Sequence, residues 1–258
     1  GHDRIIDTMM MDGLEDAYEP GKAMGVFAEE AVREYQFTRE DQDRFAIRSL
    51  ERANAAIASG AFAGEITPVT VARRGGDVIV DTDEQPGKAK PDNIPNLKPA
   101  FVKDGTITPA NASSISDGAA ALVMTRASVA ARLGMPVVAT VRASAAHAHE
   151  PAKFTTAPVP AIRKVLEKAG WSADDVDLFE VNEAFAVVAM IAARDIGIPD
   201  EKLNVNGGAT ALGHPIGASG ARIIATLIAA LRNRGLKRGV ASLCIGGGEA
   251  TAMAIELN

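Results

Sequence analysis

The chain has one cysteine, Cys244, in 258 residues. A single thiol excludes an intrachain disulfide and a cysteine-rich metal site. A reducing, cytoplasmic setting is the simplest compartment for it. Histidines number four and are scattered (His2, His147, His149 and His214). The close pair, His147 and His149, has no plausible third ligand nearby in the sequence, so no metal site is expected. No apolar run reaches the roughly 20 residues that a membrane-spanning helix needs, and no basic–apolar–small leader opens the chain. Net positive charge is lacking too. The formal balance is −6, which argues against a nucleic-acid partner. The first residues, Gly1-His2-Asp3, are not an initiator-methionine context, and the chain is expected to be a piece of a longer protein.

Aromatics make up 4% of the chain, but 47% is hydrophobic and 24 residues are glycine. Small side chains let helices and sheets approach closely, which suits a layered α/β core. Residues 1–115 carry 20 acids against 13 bases, whereas 116–258 carry 13 against 14. Two regions with different roles are expected.

Thr38-Arg39-Glu40-Asp41 reads as a capping box, and apolar groups recur at helical spacing from Phe45 to Ile57. That helix, stopped at Gly60, should turn its charged face (Glu40, Arg44, Arg48, Arg52) to solvent. Short strands are expected over 65–71 and 77–81 around Gly75-Gly76. The proline-rich stretch 83–100 reads as loop. From about Ser116 the texture alternates. Strands are expected over 119–124, 137–144, 176–181, 202–205, 239–245 and 250–257. Helices are expected over 127–133, 159–169, 183–195 and 216–234. This order calls for an α/β fold with a mixed sheet.

Three short motifs carry chemistry. His214 lies between Gly213 and Pro215, and the proline keeps it extended, outside the helix that follows. Glycines 207, 208, 213, 217 and 220 could clear space for a ligand, and a helix start with glycines could instead hold a phosphate. Neither G-x-G-x-x-G nor the P-loop pattern is present. Cys244 ends an apolar strand and runs into Gly246-Gly247-Gly248. It is either an inert small hydrophobe or a thiol beside backbone N–H donors that can hold an oxyanion. Asn182-Glu183 stands at a strand-to-helix junction, where Asn can simply be an N-cap.

Asn182-Glu183-Ala184-Phe185, the stretch 206–222 with Gly213-His214-Pro215, and Cys244-Ile245-Gly246-Gly247-Gly248 resemble, in this order, the C-terminal motifs of the thiolase family. Asp12-Gly13-Leu14, Met24-Gly25 and Asn111-Ala112-Ser113 agree with it. The resemblance implies a five-layer αβαβα fold of two similar halves plus a coenzyme A-binding loop domain. Residues 1–115 would be part of that loop domain and 116–258 the C-terminal half. The N-terminal half, with the acyl-accepting cysteine, would lie outside this chain, leaving these residues inactive alone. The implied enzyme is an acyltransferase of fatty acid metabolism, an acetyl-CoA C-acetyltransferase joining two acetyl-CoA into acetoacetyl-CoA plus CoA. A degradative 3-ketoacyl-CoA thiolase acting on longer chains, or an inactive binding subunit, are the alternatives. By resemblance, His214 activates the absent cysteine. Cys244, its pKa tuned by neighbours, removes the α-proton. Asn182 with His214, and the Gly246 N–H, hold the two oxyanions. Ala112 and Ser113 touch the pantetheine arm, and Leu14, Met24 and Phe185 line the acyl pocket. Lys22-Ala23 before Met24 departs from the stretch common in acetoacetyl-CoA thiolases. No cofactor is implied beyond coenzyme A thioesters as substrates, and a homo-oligomer, dimer or tetramer, is.

Overall fold

A computed structural model describes residues 1–258. In chain order it comprises α1 (Met24–Tyr35), α2 (Arg39–Ala58), β1 (Val69–Val71), β2 (Val78–Val80), α3 (Gln85–Lys88), α4 (Ala127–Leu133), β3 (Ala139–Ala148) and α5 (Pro158–Ala169). There follow β4 (Leu178–Val181), α6 (Ala186–Ile196), α7 (Ala209–Leu212), α8 (Ser219–Arg234), β5 (Arg238–Ile245) and β6 (Glu249–Leu257). The main sheet has the order β3-β6-β5-β4, with β4 parallel to β5 and the other pairs antiparallel. β1 and β2 form a separate exposed antiparallel ribbon. No helix is long and apolar enough to cross a membrane.

Alternation along the strands assigns the two sheet faces. Phe179, Val181, Val240 and Ala254 pack with α5 and one side of α6. Their neighbours Leu178, Ala241 and Ile255 pack on the other face beneath Ile223, Leu227 and Leu231 of α8. Gly239 brings the strand against α8, since a Cβ there would meet the Leu227 side chain at 2.8 Å. α6 is apolar all round because it is covered twice. Ala186, Ala189 and Ala192 face the sheet, while Val187, Val188 and Ile191 face α1.

Four expectations need correcting. Residues 119–124 form no strand: they are extended and mostly exposed, because no strand of this chain pairs with them. The stretch 202–205 is not a strand either. Leu203 makes one bridge to Phe179, and Asn204 then turns into the left-handed region at φ 46°. Its side-chain amide replaces the missing ladder, accepting from the Val181 N–H at 2.9 Å and donating to the Val181 carbonyl at 2.8 Å. The stretch 83–100 contains α3 and a 3₁₀ turn at Pro91–Asn96 rather than plain loop.

Only part of the charged face of α2 is a solvated surface: Glu40 and Arg44 are exposed as expected, but Arg48 and Arg52 are half-buried in an interface. The capping box of α2 forms as expected, with Thr38 Oγ1 accepting from the Asp41 N–H and Asp41 from the Thr38 N–H. Arg52 donates to the Leu203 carbonyl at 2.7 Å, Arg48 pairs with Asp200, and Arg39 donates to the carbonyls of Ile94 and Leu97 at 3.0 Å. α2 is thereby tied to the loop that follows α6 and to the 3₁₀ turn at Pro91–Asn96.

Leu227 is fully buried. Leu227→Ala should cost about 2–5 kcal/mol, read as a lower urea midpoint at unchanged m-value. A loss below about 1 kcal/mol would show that α8 does not carry this face of the core.

Candidate active site

β4 ends at Val181, and Asn182 continues its ladder by donating its N–H to the Ser242 carbonyl at 2.9 Å. Asn182 is thus fixed beside the strand that ends in Cys244. Residues 182–185 are not helical, so α6 begins later than expected, at Ala186. The start of α6 is set by the Glu183 side chain, which is buried and turned away from the helix. Its Oε1 accepts from Asn204 Nδ2 at 2.8 Å. Its Oε2 accepts from Ser49 Oγ at 2.8 Å and from the Thr210 N–H and hydroxyl at 3.1 and 2.6 Å. One carboxylate therefore joins β4, α2 and α7.

The glycines serve this clamp more than they serve a ligand. A Cβ on Gly208 would strike the Glu183 carboxylate, and one on Gly207, at φ +79°, would lie 2.5 Å from the Ser49 carbonyl. Gly213, at φ +93°, faces the Ser116 hydroxyl. Only Gly217 and Gly220 face open space. The expectation of a cleared ligand approach is corrected for the first three.

The clamp delivers His214. Its N–H donates to the Ser114 carbonyl at 3.1 Å, and its ring lies between two side chains. Nε2 is 3.3 Å from Asn182 Nδ2, and Nδ1 is 2.6 Å from Ser219 Oγ. The Ser219 hydroxyl donates to the Pro215 carbonyl at 3.0 Å. It must then accept from Nδ1–H, which leaves the lone pair on Nε2. Burial, and next the charge of Arg222, push His214 down to about 4. The ring is neutral at physiological pH and Nε2 can take a proton. Asn182 Oδ1 is buried without a partner and can accept a further hydrogen bond.

Cys244 is buried at the end of β5, in one apolar cluster with Met24, Ala112 and Phe185. The structure thus brings together residues that are far apart in sequence. Met24 Sδ lies over Gly246, where a Cβ would sit 3.0 Å from it. Ala112 bridges Phe185, and both the N–H and the hydroxyl of Ser113 donate to the Ala184 carbonyl. Leu14 is not in this cluster. It is half-buried in a π-helical turn, Met10–Leu14. Its neighbour Gly13 lies near Ile216. Burial pushes the Cys244 thiol up to about 12. The expectation of a thiolate tuned by neighbours therefore fails in this state, and the group is a thiol.

Sequence reading missed Phe101 and Ser219. Phe101 stacks edge-on to Phe185 at 5.8 Å, and its ring fills the space a Gly25 side chain would occupy. The signals were an aromatic in a chain with few and a serine at the start of the helix after His214. No group of histidine, cysteine and carboxylate could hold a metal. A cavity of about 540 Å³ lies elsewhere, among Ile223, Leu243 and Met253 beside α8.

Residues 1–128 match the model of the thiolase N-terminal domain and 135–257 that of the thiolase C-terminal domain. The chain belongs to the thiolase family. It is 49% identical over 257 residues to an acetyl-CoA acetyltransferase of Rhizobium meliloti, covering 99% of this chain and 65% of that protein. It is 46% identical to one of Pseudomonas aeruginosa, with 99% and 65% covered. A crystal structure of the Bacillus anthracis acetyl-CoA acetyltransferase superposes with TM-score 0.95 at 42% identity, covering all of this chain and 65% of that one. The Ascaris suum Acat5 thiolase, solved in complex with coenzyme A, gives 0.90 at 38%, covering all of this chain and 66% of that one. The chain thus spans about two thirds of the relatives it matches, and its α/β architecture is that of the family.

Glu183→Ala leaves buried donors from Ser49, Asn204 and Thr210 without an acceptor. It should cost about 3 kcal/mol or more in denaturant unfolding. A loss under about 1 kcal/mol would dismiss the clamp. Cys244 should resist iodoacetamide in the folded protein between pH 7 and 9, while the unfolded chain alkylates readily. Equal rates in the two states would contradict its burial as a thiol.

Proposed function

We propose that this chain is part of an acyl-CoA acyltransferase that reversibly condenses two acetyl-CoA into acetoacetyl-CoA and free CoA. The observation that carries this reading is the Asn182–His214 pair held at the end of β4, beside the strand that delivers Cys244 into the cluster of Met24, Ala112 and Phe185. Relatives named for that activity support it. Residues 1–115 serve coenzyme A binding and 116–258 the chemistry. Coenzyme A thioesters are the substrates, and no further cofactor takes part. The single thiol is consistent with a reducing cytoplasm, and a homo-oligomer, dimer or tetramer, is the proposed assembly.

Two thiols share the reaction. An acyl-accepting thiol outside these 258 residues attacks the first acetyl-CoA, with His214 Nε2 taking its proton, and CoA leaves as the thiolate. That thiolate removes the Cys244 proton. The Cys244 thiolate then takes the α-proton of a second acetyl-CoA. The enolate oxygen accepts hydrogen bonds from protonated His214 and from a water held by Asn182. The carbanion attacks the acyl carbonyl, whose oxygen is held by the Gly246 N–H. A carbon–carbon bond forms, the enzyme thioester breaks, and its thiolate recovers the proton held by His214. In the cleavage direction Cys244 starts as the acid, and its buried, protonated state suits that role.

Met24 and Phe185 share the apolar cluster of the thiol, with Phe101 packed on Phe185, and this favours a short acyl group over the longer chains of a degradative enzyme. In the full-length protein, Cys244→Ala should lower condensation about 10³-fold or more while leaving acylation by acetyl-CoA intact. Loss of acyl-enzyme formation in that variant would overturn the role of Cys244. Faster thiolysis of octanoyl-length substrates than of acetoacetyl-CoA would overturn the short-chain reading.

A further inference from the structure

His214 is held at three points, and the hydroxyl at one of them has no other necessary task. Its N–H is fixed on the Ser114 carbonyl, Nε2 faces Asn182, and Nδ1 lies 2.6 Å from Ser219 Oγ. Ser219 is the first residue of α8 and is fully buried. A serine at a helix start is ordinarily a cap. Here the cap position is Ala218, and no side chain caps the helix. The Ser219 hydroxyl instead donates to the Pro215 carbonyl at 3.0 Å, a local back-bond that serine often makes. That carbonyl does not depend on it, since it already accepts from the N–H groups of Ala218 and Ser219 at 2.8 and 2.9 Å. The contact that Ser219 alone supplies is the one to the ring.

We propose that Ser219 is a positioning residue for the base: its hydroxyl oxygen accepts from Nδ1–H of His214 and keeps the proton-accepting lone pair on Nε2, beside Asn182, through the whole cycle. The proposal rests on the reading of His214 as the base.

A neutral imidazole carries its hydrogen on one nitrogen only. With its own hydrogen directed at Pro215, the Ser219 hydroxyl presents a lone pair to Nδ1. On the other side Asn182 Nδ2, a donor, approaches Nε2 at 3.3 Å, where an N–H would meet another donor. Both neighbours therefore select the same tautomer. When Nε2 takes the proton of the acyl-accepting thiol, both ring nitrogens become donors, and Nδ1–H keeps Ser219. The side that adjusts is Asn182, whose Oδ1 is buried without a partner. The proton thus enters and leaves at one atom, and the ring does not turn. The hydroxyl is neutral, so it aims the ring without adding a negative charge that would hold the proton there. That suits a base that must hand its proton back in the same turnover.

The test is the nitrogen NMR spectrum of the histidine rings in the folded full-length protein at neutral pH, with the His214 signals assigned by their loss in His214→Asn. The shifts of the two ring nitrogens report which one carries the hydrogen. The parent should show Nδ1 protonated and Nε2 bare. Ser219→Ala removes the acceptor at Nδ1 while Pro215 keeps its two N–H donors. In that variant the hydrogen should move to Nε2, wholly or in part. The rate constant of acyl-enzyme formation should fall about 10-fold or more, with the KM for acetyl-CoA and the melting temperature close to the parent's. A parent ring with its hydrogen on Nε2 would overturn the proposal, and that result needs no variant to fold. Unchanged ring signals in Ser219→Ala, or a loss carried by KM alone, would overturn it as well. The base reading fails separately: acyl-enzyme formation at the parent's rate in His214→Asn would remove the base and leave the tautomer of the parent ring as observed.

Discussion

The Glu183 carboxylate is the contact on which the rest of the site depends. It accepts four hydrogen bonds, from α2, from Asn204 and from the start of α7, inside an otherwise apolar core. A buried carboxylate is tolerated only when its oxygens are satisfied in this way. The demand fixes three segments at once. α2 must lie close enough for Ser49 to reach, Gly208 must lack a side chain, and Asn204 must turn back across β4. The loop that emerges from this knot is the one that carries His214. Asn182, the residue before Glu183, stands opposite the imidazole.

A second consequence is electrostatic. The two side chains proposed to react lie in a buried setting and rest in their neutral forms. His214 stays an imidazole and Cys244 stays a thiol. Neither is reactive until another group arrives to exchange a proton. This arrangement suits a reaction in which protons move only among thiols, a thioester and one imidazole, and it keeps the thiol from side reactions.

Most of the elements were legible in the sequence where a local signal exists. The capping box at Thr38 and the glycine stop at Gly60 are written within a few residues of the helix ends. The motifs around Asn182, His214 and Cys244 were legible too, as candidates. What could not be read locally was what each glycine or charged residue faces. The glycines at 207 and 208 read as room for a ligand but make room for Ser49 and Glu183, which lie far away in sequence. Arg48 and Arg52 of α2 read as solvated, but Arg48 pairs with Asp200 and Arg52 caps the carbonyls of Asp200 and Leu203. Residues 119–124 have the composition of a strand, yet a strand exists only where a partner ladder does. Asn204 shows the converse, a polar side chain standing in for backbone where the pattern suggested a strand.

The central claim is that the knot at Glu183 places Asn182, His214 and Cys244 around one reacting centre. The most direct measurement is a crystal structure of the full-length protein with a coenzyme A thioester bound. The account predicts the thioester carbonyl oxygen within hydrogen-bond reach of His214 Nε2, and the methyl carbon of the acyl group facing Cys244 Sγ among Met24 and Phe185. A thioester bound with its carbonyl away from His214, or with Cys244 outside contact of the acyl group, would contradict it.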